Sequence, residues 1–125
     1  QALDAATAAL RLDFLVSFSS TAAVFGNVGQ ADYASANGFM DGFAAMRNAR
    51  VRGGQRHGRT LSINWPLWAQ GGMRVDAATA ERLRERYGVR PLSSEAGLAA
   101  FYRAFASGLD QVCVLPAGQT PPARA

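Results

Sequence analysis

The chain alternates short apolar segments with stretches of helical spacing. Leu12–Phe18 (LDFLVSF) is a nearly continuous apolar run, and Thr60–Trp65 (TLSINW) has Leu61, Ile63 and Trp65 at alternating positions. Gln111–Leu115 (QVCVL) is a third short apolar run. Each pattern predicts a β-strand, and the first is typical of a parallel strand covered by helices on both faces.

Helices are predicted between these strands. One starts at Ala31 and ends near Arg50, with helical spacing at Tyr33, Ala36, Asn37, Met40, Phe43, Ala44 and Arg47. Another is capped by Ser93 or Ser94 and runs to about Ala106, with Leu98, Phe101 and Phe105 on one face. Shorter helical segments are predicted in Gln1–Leu10 and Ala77–Tyr87, and loops in Thr21–Gln30 and Pro66–Met73.

The order of these elements predicts the fold class. Strand–helix–strand–helix–strand connections are right-handed and give a parallel sheet, so we expect an α/β fold with a doubly wound parallel sheet. Leu12–Phe18 is too apolar for an exposed edge, and we expect a strand outside this chain to pair with it. The chain also starts at Gln1 inside a helical pattern. We therefore expect residues 1–116 to be part of a larger domain and residues 117–125 a linker.

Charge and composition exclude several function classes. The net charge is +4, and all 13 basic residues are Arg, spread among acidic residues rather than set in a stripe with aromatics, which argues against nucleic-acid binding. No apolar run approaches the roughly 20 residues that span a bilayer. Single Cys113 lies within an apolar strand pattern, which indicates a buried thiol, no disulfide and a reducing, cytoplasmic location. No metal site is predicted.

Polar residues follow two of the predicted strands. Ser19 and Ser20 end the first, and Asn64, Trp65 and Pro66 end the second. Ligands of open α/β sheets bind beyond the carboxyl ends of the strands. On the helix between these strands, Tyr33 and Asn37 are four residues apart, so their side chains project from the same face.

A hydroxyl, a phenol and an amide at one point suit carbonyl reduction. Hydride addition to a carbonyl carbon leaves an alkoxide, to which Ser20 can donate a hydrogen bond and Tyr33 a proton. Because an unperturbed Tyr has a pKa of about 10, a nearby cation would assist proton release. Asn37 supplies no charge and the chain has no Lys, so the site lacks one component. Taken singly, Ser20, Tyr33 and Asn37 are equally compatible with structural roles.

Together, the motifs resemble those of a known family. Phe18–Ala45 holds Ser-Ser, a Gly-x-x-Gly-Gln loop, Tyr-Ala-x-Ala-Asn and a helix with x-Asp-x-x-Ala, and Ser20 precedes Tyr33 by thirteen residues. This pattern, with Ser62–Met73, is similar to the ketoreductase domains of modular polyketide synthases, in the short-chain dehydrogenase/reductase superfamily. Pro66 gives the second motif the form seen in trans-acyltransferase assembly lines. The resemblance covers about residues 1–115.

The resemblance implies an activity and a set of roles. Such domains use NADPH to reduce a β-ketoacyl thioester on an acyl carrier protein to the β-hydroxyacyl form. Ser20, Tyr33 and Asn37 would be catalytic. The cofactor would meet Ser19 and the loop Asn64, Trp65, Pro66 and Leu67, and the substrate would meet Phe25, Gln30, Trp68 and Met73. Trp65, Trp68 and Met73 are equally explained as packing residues. Arg74–Tyr87 resembles the family's mobile lid.

The same resemblance implies that part of the reductase lies outside this chain. The family's catalytic Lys and its glycine-rich dinucleotide fingerprint precede the position of Gln1, so the fold would be the C-terminal half of a Rossmann-like domain. An N-terminal half, in the same parent protein or in a separate chain, is the expected partner. The alternatives are a non-catalytic structural or docking fragment and an ordinary small-molecule dehydrogenase. Asn37 in the place of Lys argues against the last, and the complete Ser20–Tyr33–Asn37 set argues against a degenerate fragment.

Overall fold

A computed structural model of the protein describes residues 2–71, 78, 81, 90–116 and 118. Its helices are α1 (Ala2–Ala6), α2 (Thr21–Phe25), α3 (Ala31–Arg52) and α4 (Ser94–Ala106). Its strands are β1 (Phe14–Ser20), β2 (Arg59–Trp65) and β3 (Gln111–Cys113). Among the described helices, none is long and apolar enough to cross a membrane.

The strands form one parallel sheet in the order β1-β2-β3. Phe14 of β1 pairs with Arg59 of β2, and the register continues to Ser20 opposite Trp65. Helix α3 connects β1 to β2, and α4 lies between β2 and β3 in the chain. The predicted α/β class with a parallel sheet is therefore confirmed.

The two faces of β2 differ sharply in polarity. Leu61, Ile63 and Trp65 are buried in an apolar core that also contains Leu92, Ala104 and Val114, with Phe101 and Phe105 of α4 packed against it. The alternate side chains, Thr60, Ser62 and Asn64, are also fully buried, but they form hydrogen bonds with side chains of α3. The sheet thus has an apolar face towards α4 and a polar face towards α3.

Helix α4 begins where the sequence predicts. The Ser93 side chain accepts a hydrogen bond from the Ala96 amide at 3.2 Å, which satisfies one of the free donors of the first turn. Phe101 and Phe105 face the core as predicted, but Leu98 is 58% exposed. Gly97, which is buried, faces the core in that turn instead, because the Trp68 ring lies directly against it.

Several boundaries differ from the sequence prediction. β2 starts one residue earlier, at Arg59, and β3 ends at Cys113 rather than Leu115. β1 starts at Phe14 rather than Leu12 and runs on through Ser20. Thr21–Phe25, predicted as loop, is a helical turn, because the Ser20 side chain caps it by accepting from the Ala22 amide. Met73, the predicted helix and lid in residues 74–87 (apart from Ala78 and Glu81), and the linker (apart from Gly118) lie outside the described residues.

A buried carboxylate fastens α1 to the end of α3. Asp4 is 4% exposed and accepts hydrogen bonds from Arg50 at 2.7 Å and from Arg56 at 2.9 and 3.0 Å. Arg47 Nε lies 3.5 Å from the same carboxylate, and its guanidinium also donates to the carbonyls of His57 and Gly58. Hydrogen bonding to Arg56, together with the charges of Arg56, Arg50 and Arg47, lowers the pKa of Asp4 against the opposing effect of burial.

Asp4→Asn is expected to reduce stability at neutral pH, because it leaves the buried Arg47 without its counter-charge. Since the folded-state pKa of Asp4 is below its ordinary value of 3.8, the carboxylate's contribution is complete above that value and is lost as the pH falls through the folded-state pKa. Urea unfolding of both proteins should show a deficit that is constant above about pH 5 and shrinks in stronger acid. A deficit unchanged in acid would contradict this role. Asp32→Asn, on the exposed first turn of α3, is the control.

Gly97→Ala should destabilise the protein, because the added Cβ would overlap the six-membered ring of Trp68. Overpacking costs about 1–3 kcal/mol, whereas Ala gains up to about 1 kcal/mol over Gly in a helix. Gly42→Ala in α3 is the matched control, since a Cβ there meets nothing within 4 Å. Thermal denaturation should show a lower Tm for Gly97→Ala and an unchanged or higher Tm for Gly42→Ala. Equal behaviour of the two variants would rule out the Trp68–Gly97 contact.

Candidate functional site

The candidate site lies where β1 and β2 end side by side. Ser20 is the last residue of β1 and pairs in register with Trp65, the last residue of β2. The chain segments that follow these strands leave the sheet at the same end, beyond the carboxyl ends of the strands. Ligands of open α/β sheets bind there. The predicted convergence of the two strand ends is therefore present in the fold.

Ser20 has a defined orientation at this end of the sheet. Its backbone is extended (φ −132°, ψ 148°), and its Oγ accepts a hydrogen bond from the Ala22 amide at 3.2 Å. That bond uses a lone pair and leaves the hydroxyl proton available. Among the described residues, no acceptor takes that proton, so the hydroxyl can donate to a ligand oxygen.

Tyr33 and Asn37 lie in the first two turns of α3. Asn37 is 6% exposed, and its Nδ2 donates to the Tyr33 carbonyl at 2.8 Å, one turn back along the helix. Tyr33 is half-buried. The Asn37 carbonyl accepts a hydrogen bond from Ser19 Oγ at 3.2 Å, which joins this part of α3 to the end of β1. The structure thus attaches the predicted Tyr–Asn helix directly to the predicted Ser–Ser strand.

Asn64 links all three elements of the site. Its Nδ2 lies 3.0 Å from Ser19 Oγ, 3.1 Å from the Ser20 carbonyl and 2.8 Å from Oδ2 of Asp41 on α3. Its Oδ1 accepts from Gln111 Nε2 at 2.8 Å. Asn64 is fully buried. Its side chain and that of Ser19 are therefore engaged within the protein, whereas Ser20 has a proton to donate.

The loop after β2 is held from outside the sheet. The Leu67 carbonyl accepts from the Leu92 amide at 2.7 Å, and the Leu92 carbonyl accepts from the Ala69 amide at 2.8 Å. Trp65 and Trp68 are in ring contact, with centroids 4.9 Å apart, and Pro66 is buried while Leu67 is half-buried. The packing of Trp65 and Trp68 supports the structural interpretation of both; their binding roles stay predictions.

The remaining predicted substrate contacts are spread along the α2–α3 connection and beyond. Phe25 is the half-buried last residue of α2. Gln30, just before α3, is exposed, and its Oε1 accepts from Asn27 Nδ2 at 2.7 Å. Met73 lies outside the described residues. Within the described chain, no side-chain hydrogen bond or ring contact joins Phe25 or Gln30 to Ser20, Tyr33 or Asn37.

The described cations of α3 are at the wrong end of the helix to assist Tyr33. Arg47 follows Tyr33 by fourteen residues, about 21 Å along the axis at 1.5 Å per residue. Its guanidinium is committed to carbonyl groups, Thr60 and Asp4. Cys113 is half-buried rather than fully buried as predicted. Burial, followed by the charge of Asp41, raises the pKa of its thiol, which disfavours the nucleophilic thiolate.

The sequence predicts no role for Asp41, which is part of the x-Asp-x-x-Ala motif, and none for Ser62. Ser62 Oγ donates to Asp41 Oδ1 at 2.6 Å, beside the bond from Asn64 to Oδ2. A signal was available in the sequence. Asn37, Asp41, Ala44 and Asn48 follow helical spacing, and Thr60, Ser62 and Asn64 occupy alternate positions of β2. A helix stripe that is polar at Asn37, Asp41 and Asn48, next to a strand with one polar face, indicates that the two pair with each other.

Comparison with known proteins agrees with this fold. The parallel sheet with its connecting helices defines a Rossmann-like α/β fold of the short-chain dehydrogenase/reductase kind. A family model for the KR domain matches residues 1–70. The chain therefore belongs to the KR family, the ketoreductase domains of polyketide synthases.

Relatives and solved structures give the same picture. Polyketide synthase PksN of Bacillus subtilis (strain 168) is 51% identical over 113 residues, and polyketide synthase ThaG of Burkholderia thailandensis is 54% identical over 113 residues. Each match covers 90% of this chain and 2% of the relative. The crystal structure of a ketoreductase domain from the bacillaene assembly line superposes with a TM-score of 0.85 at 43% identity. That match covers 89% of this chain and 27% of the solved chain, so the chain spans about a quarter of that structure.

Proposed function

We propose that this chain is the catalytic portion of a polyketide synthase ketoreductase that reduces a β-ketoacyl thioester, carried on an acyl carrier protein, to the β-hydroxyacyl form with NADPH. The observation that carries the proposal is the joined strand and helix. Ser20 ends β1 with its hydroxyl oxygen held by the Ala22 amide, and the helix bearing Tyr33 and Asn37 is bonded to the same strand through Ser19.

The proposed mechanism follows from the chemistry of these side chains. The Ser20 hydroxyl donates a hydrogen bond to the substrate carbonyl oxygen, which polarises the carbonyl and stabilises the alkoxide as it forms. The Tyr33 phenol then donates its proton to that alkoxide. Asn37, bonded to the Tyr33 carbonyl, holds the first turns of α3 in shape beside the reacting groups.

The residues present fit the nicotinamide end of the cofactor. When bound, NADPH supplies the hydride that reduces the carbonyl carbon. At the carboxyl end of β2, the half-buried Leu67 would offer an apolar contact to a flat ring. The Trp65 indole N–H is buried there and has no acceptor among the described residues, so a ligand oxygen could satisfy it.

The exposed edge of β1 supports a partner that completes the domain. β1 is the outermost strand of the described sheet, and its edge away from β2 has no partner among the described strands. Its Phe14 and Phe18 side chains, which project from one face of the strand, are 53% and 59% exposed. An apolar strand edge of this kind is an aggregation hazard unless it is covered. In the proposal, an N-terminal half of the domain pairs with β1, supplies the cation that the Tyr33 end of α3 lacks, and contributes most of the cofactor site.

The prediction is that this chain alone neither binds NADPH tightly nor turns over. Mixed with the N-terminal half of the domain, or within a longer reading frame that contains both, it should oxidise NADPH in the presence of a soluble β-ketoacyl thioester. Tyr33→Phe should lower kcat by about 10²–10⁴-fold, the usual cost of removing a general acid. Absorbance at 340 nm measures turnover, and NADPH fluorescence titration measures cofactor binding.

Tyr102→Phe is the matched control, because Tyr102 is 69% exposed on α4, far along the chain from the site. It should leave turnover unchanged, and Tyr33→Phe should leave the affinity for NADPH unchanged. Robust turnover by the isolated chain would contradict the requirement for a second half. An inactive but folded and cofactor-bound assembly would favour the non-catalytic structural fragment instead.

A further inference from the structure

A carboxylate that the proposed mechanism does not use lies behind the site. Asp41 is half-buried on α3, two turns after Tyr33, and accepts hydrogen bonds from Ser62 and Asn64 of β2 at 2.6 and 2.8 Å. Both donors are fully buried. A carboxylate that accepts from two buried groups of a neighbouring strand restrains the helix both along and across that strand.

Asn64 connects the Asp41 carboxylate to the residues at the end of β1. The two N–H bonds of the Asn64 amide serve three acceptors: the Asp41 carboxylate, Ser19 Oγ and the Ser20 carbonyl. Asp41 therefore orients the amide that holds the main chain of Ser20. Ser19, held by the same amide, donates in turn to the Asn37 carbonyl. A closed ring of hydrogen bonds thus runs from α3 to β2, to the end of β1 and back to α3.

From this ring we infer that Asp41 is a positioning residue of the reductase, setting the placement of Tyr33 and Asn37 relative to Ser20 without contacting substrate or cofactor. This rests on the proposed function, and it assigns Asn64 to the same positioning ring, since its side chain is fully buried and engaged. Catalysis is sensitive to such placement, because a displacement of about 1 Å can cost about 10²-fold in rate.

A second Asn–Asp pair allows an experiment to distinguish a positioning role of Asp41 from a contribution to stability alone. Asn48 of α3 donates to Asp110 Oδ1 at 2.7 Å and also bonds both main-chain groups of Thr60. This second Asn–Asp pair joins the same helix to the same sheet. Asn48 of this pair meets β2 at Thr60, four residues before Asn64. That separation is about 13 Å along the strand at 3.3 Å per residue. Removing Asp110 therefore weakens the same interface away from the site.

The experiment compares Asp41→Ala with Asp110→Ala in the complete reductase, at a temperature where circular dichroism shows both folded. Asp41→Ala should lower kcat by about 10–100-fold, with the KM for NADPH changed less than about twofold and a larger isotope effect with deuterated NADPH, because hydride transfer becomes slower. Asp110→Ala should lower Tm by a similar amount and leave kcat and the isotope effect unchanged. Asp41→Asn should recover most of kcat, because its Oδ1 can accept from Asn64 while its Nδ2 donates to Ser62.

Ser19→Ala is the second variant, and it tests the inference even if Asp41→Ala does not fold. It deletes the atom that joins Asn64 to the Asn37 carbonyl, and it should lower kcat in the same way with a small change in Tm. The inference is overturned if Asp41→Ala and Asp110→Ala affect kcat alike, or if Ser19→Ala keeps full kcat. An inactive wild-type assembly would instead remove the proposed function, and the positioning role with it.

Discussion

The fold around the site depends on a buried polar seam between α3 and β2. Asn48, Ser62 and Asn64 are each less than 4% exposed, and each side chain forms hydrogen bonds across the seam. A buried amide or hydroxyl costs free energy unless it is bonded, so this seam is stable in one arrangement of helix and strand and strained in others. The seam therefore fixes the register of α3 on the sheet, and with it the position of Tyr33.

The opposite face of the sheet is stabilised mainly by apolar packing rather than by hydrogen bonds. There Leu61, Ile63 and Trp65 pack under α4 with Phe101 and Phe105, and Arg59 adds a cation–π contact with Phe105 at 5.6 Å from the ring centroid. Apolar packing supplies stability but little directional constraint. In the proposed reductase, the helix that bears Tyr33 and Asn37 lies on the directional face. The division between the two faces also explains why the loop after β2 depends on Trp68, Gly97 and Leu92 for its anchorage.

Much of this could be predicted from the sequence, for physical reasons that differ between elements. The parallel α/β class, α3 and α4 follow from apolar periodicity and from the Ser93 cap, because local pattern and tertiary packing agree there. The start of β1 and the turn α2 do not, since both depend on pairing with β2 and on which way the Ser20 side chain turns. The Ser20–Tyr33–Asn37 set is visible as spacing. The partners of Asp41 are indicated only by the polar stripe of α3 and the polar face of β2, because they lie 21 and 23 residues away in the chain and meet it after folding.

The most direct test of the account is the geometry of the site in a crystal structure of the complete reductase with a β-ketoacyl ligand. The account predicts that Tyr33 Oη and Ser20 Oγ both lie within about 2.6–3.2 Å of the ketone oxygen, with Asn64 still bridging Ser19 and Asp41. A Tyr33 hydroxyl directed into solvent, away from Ser20, in an otherwise intact fold would contradict it.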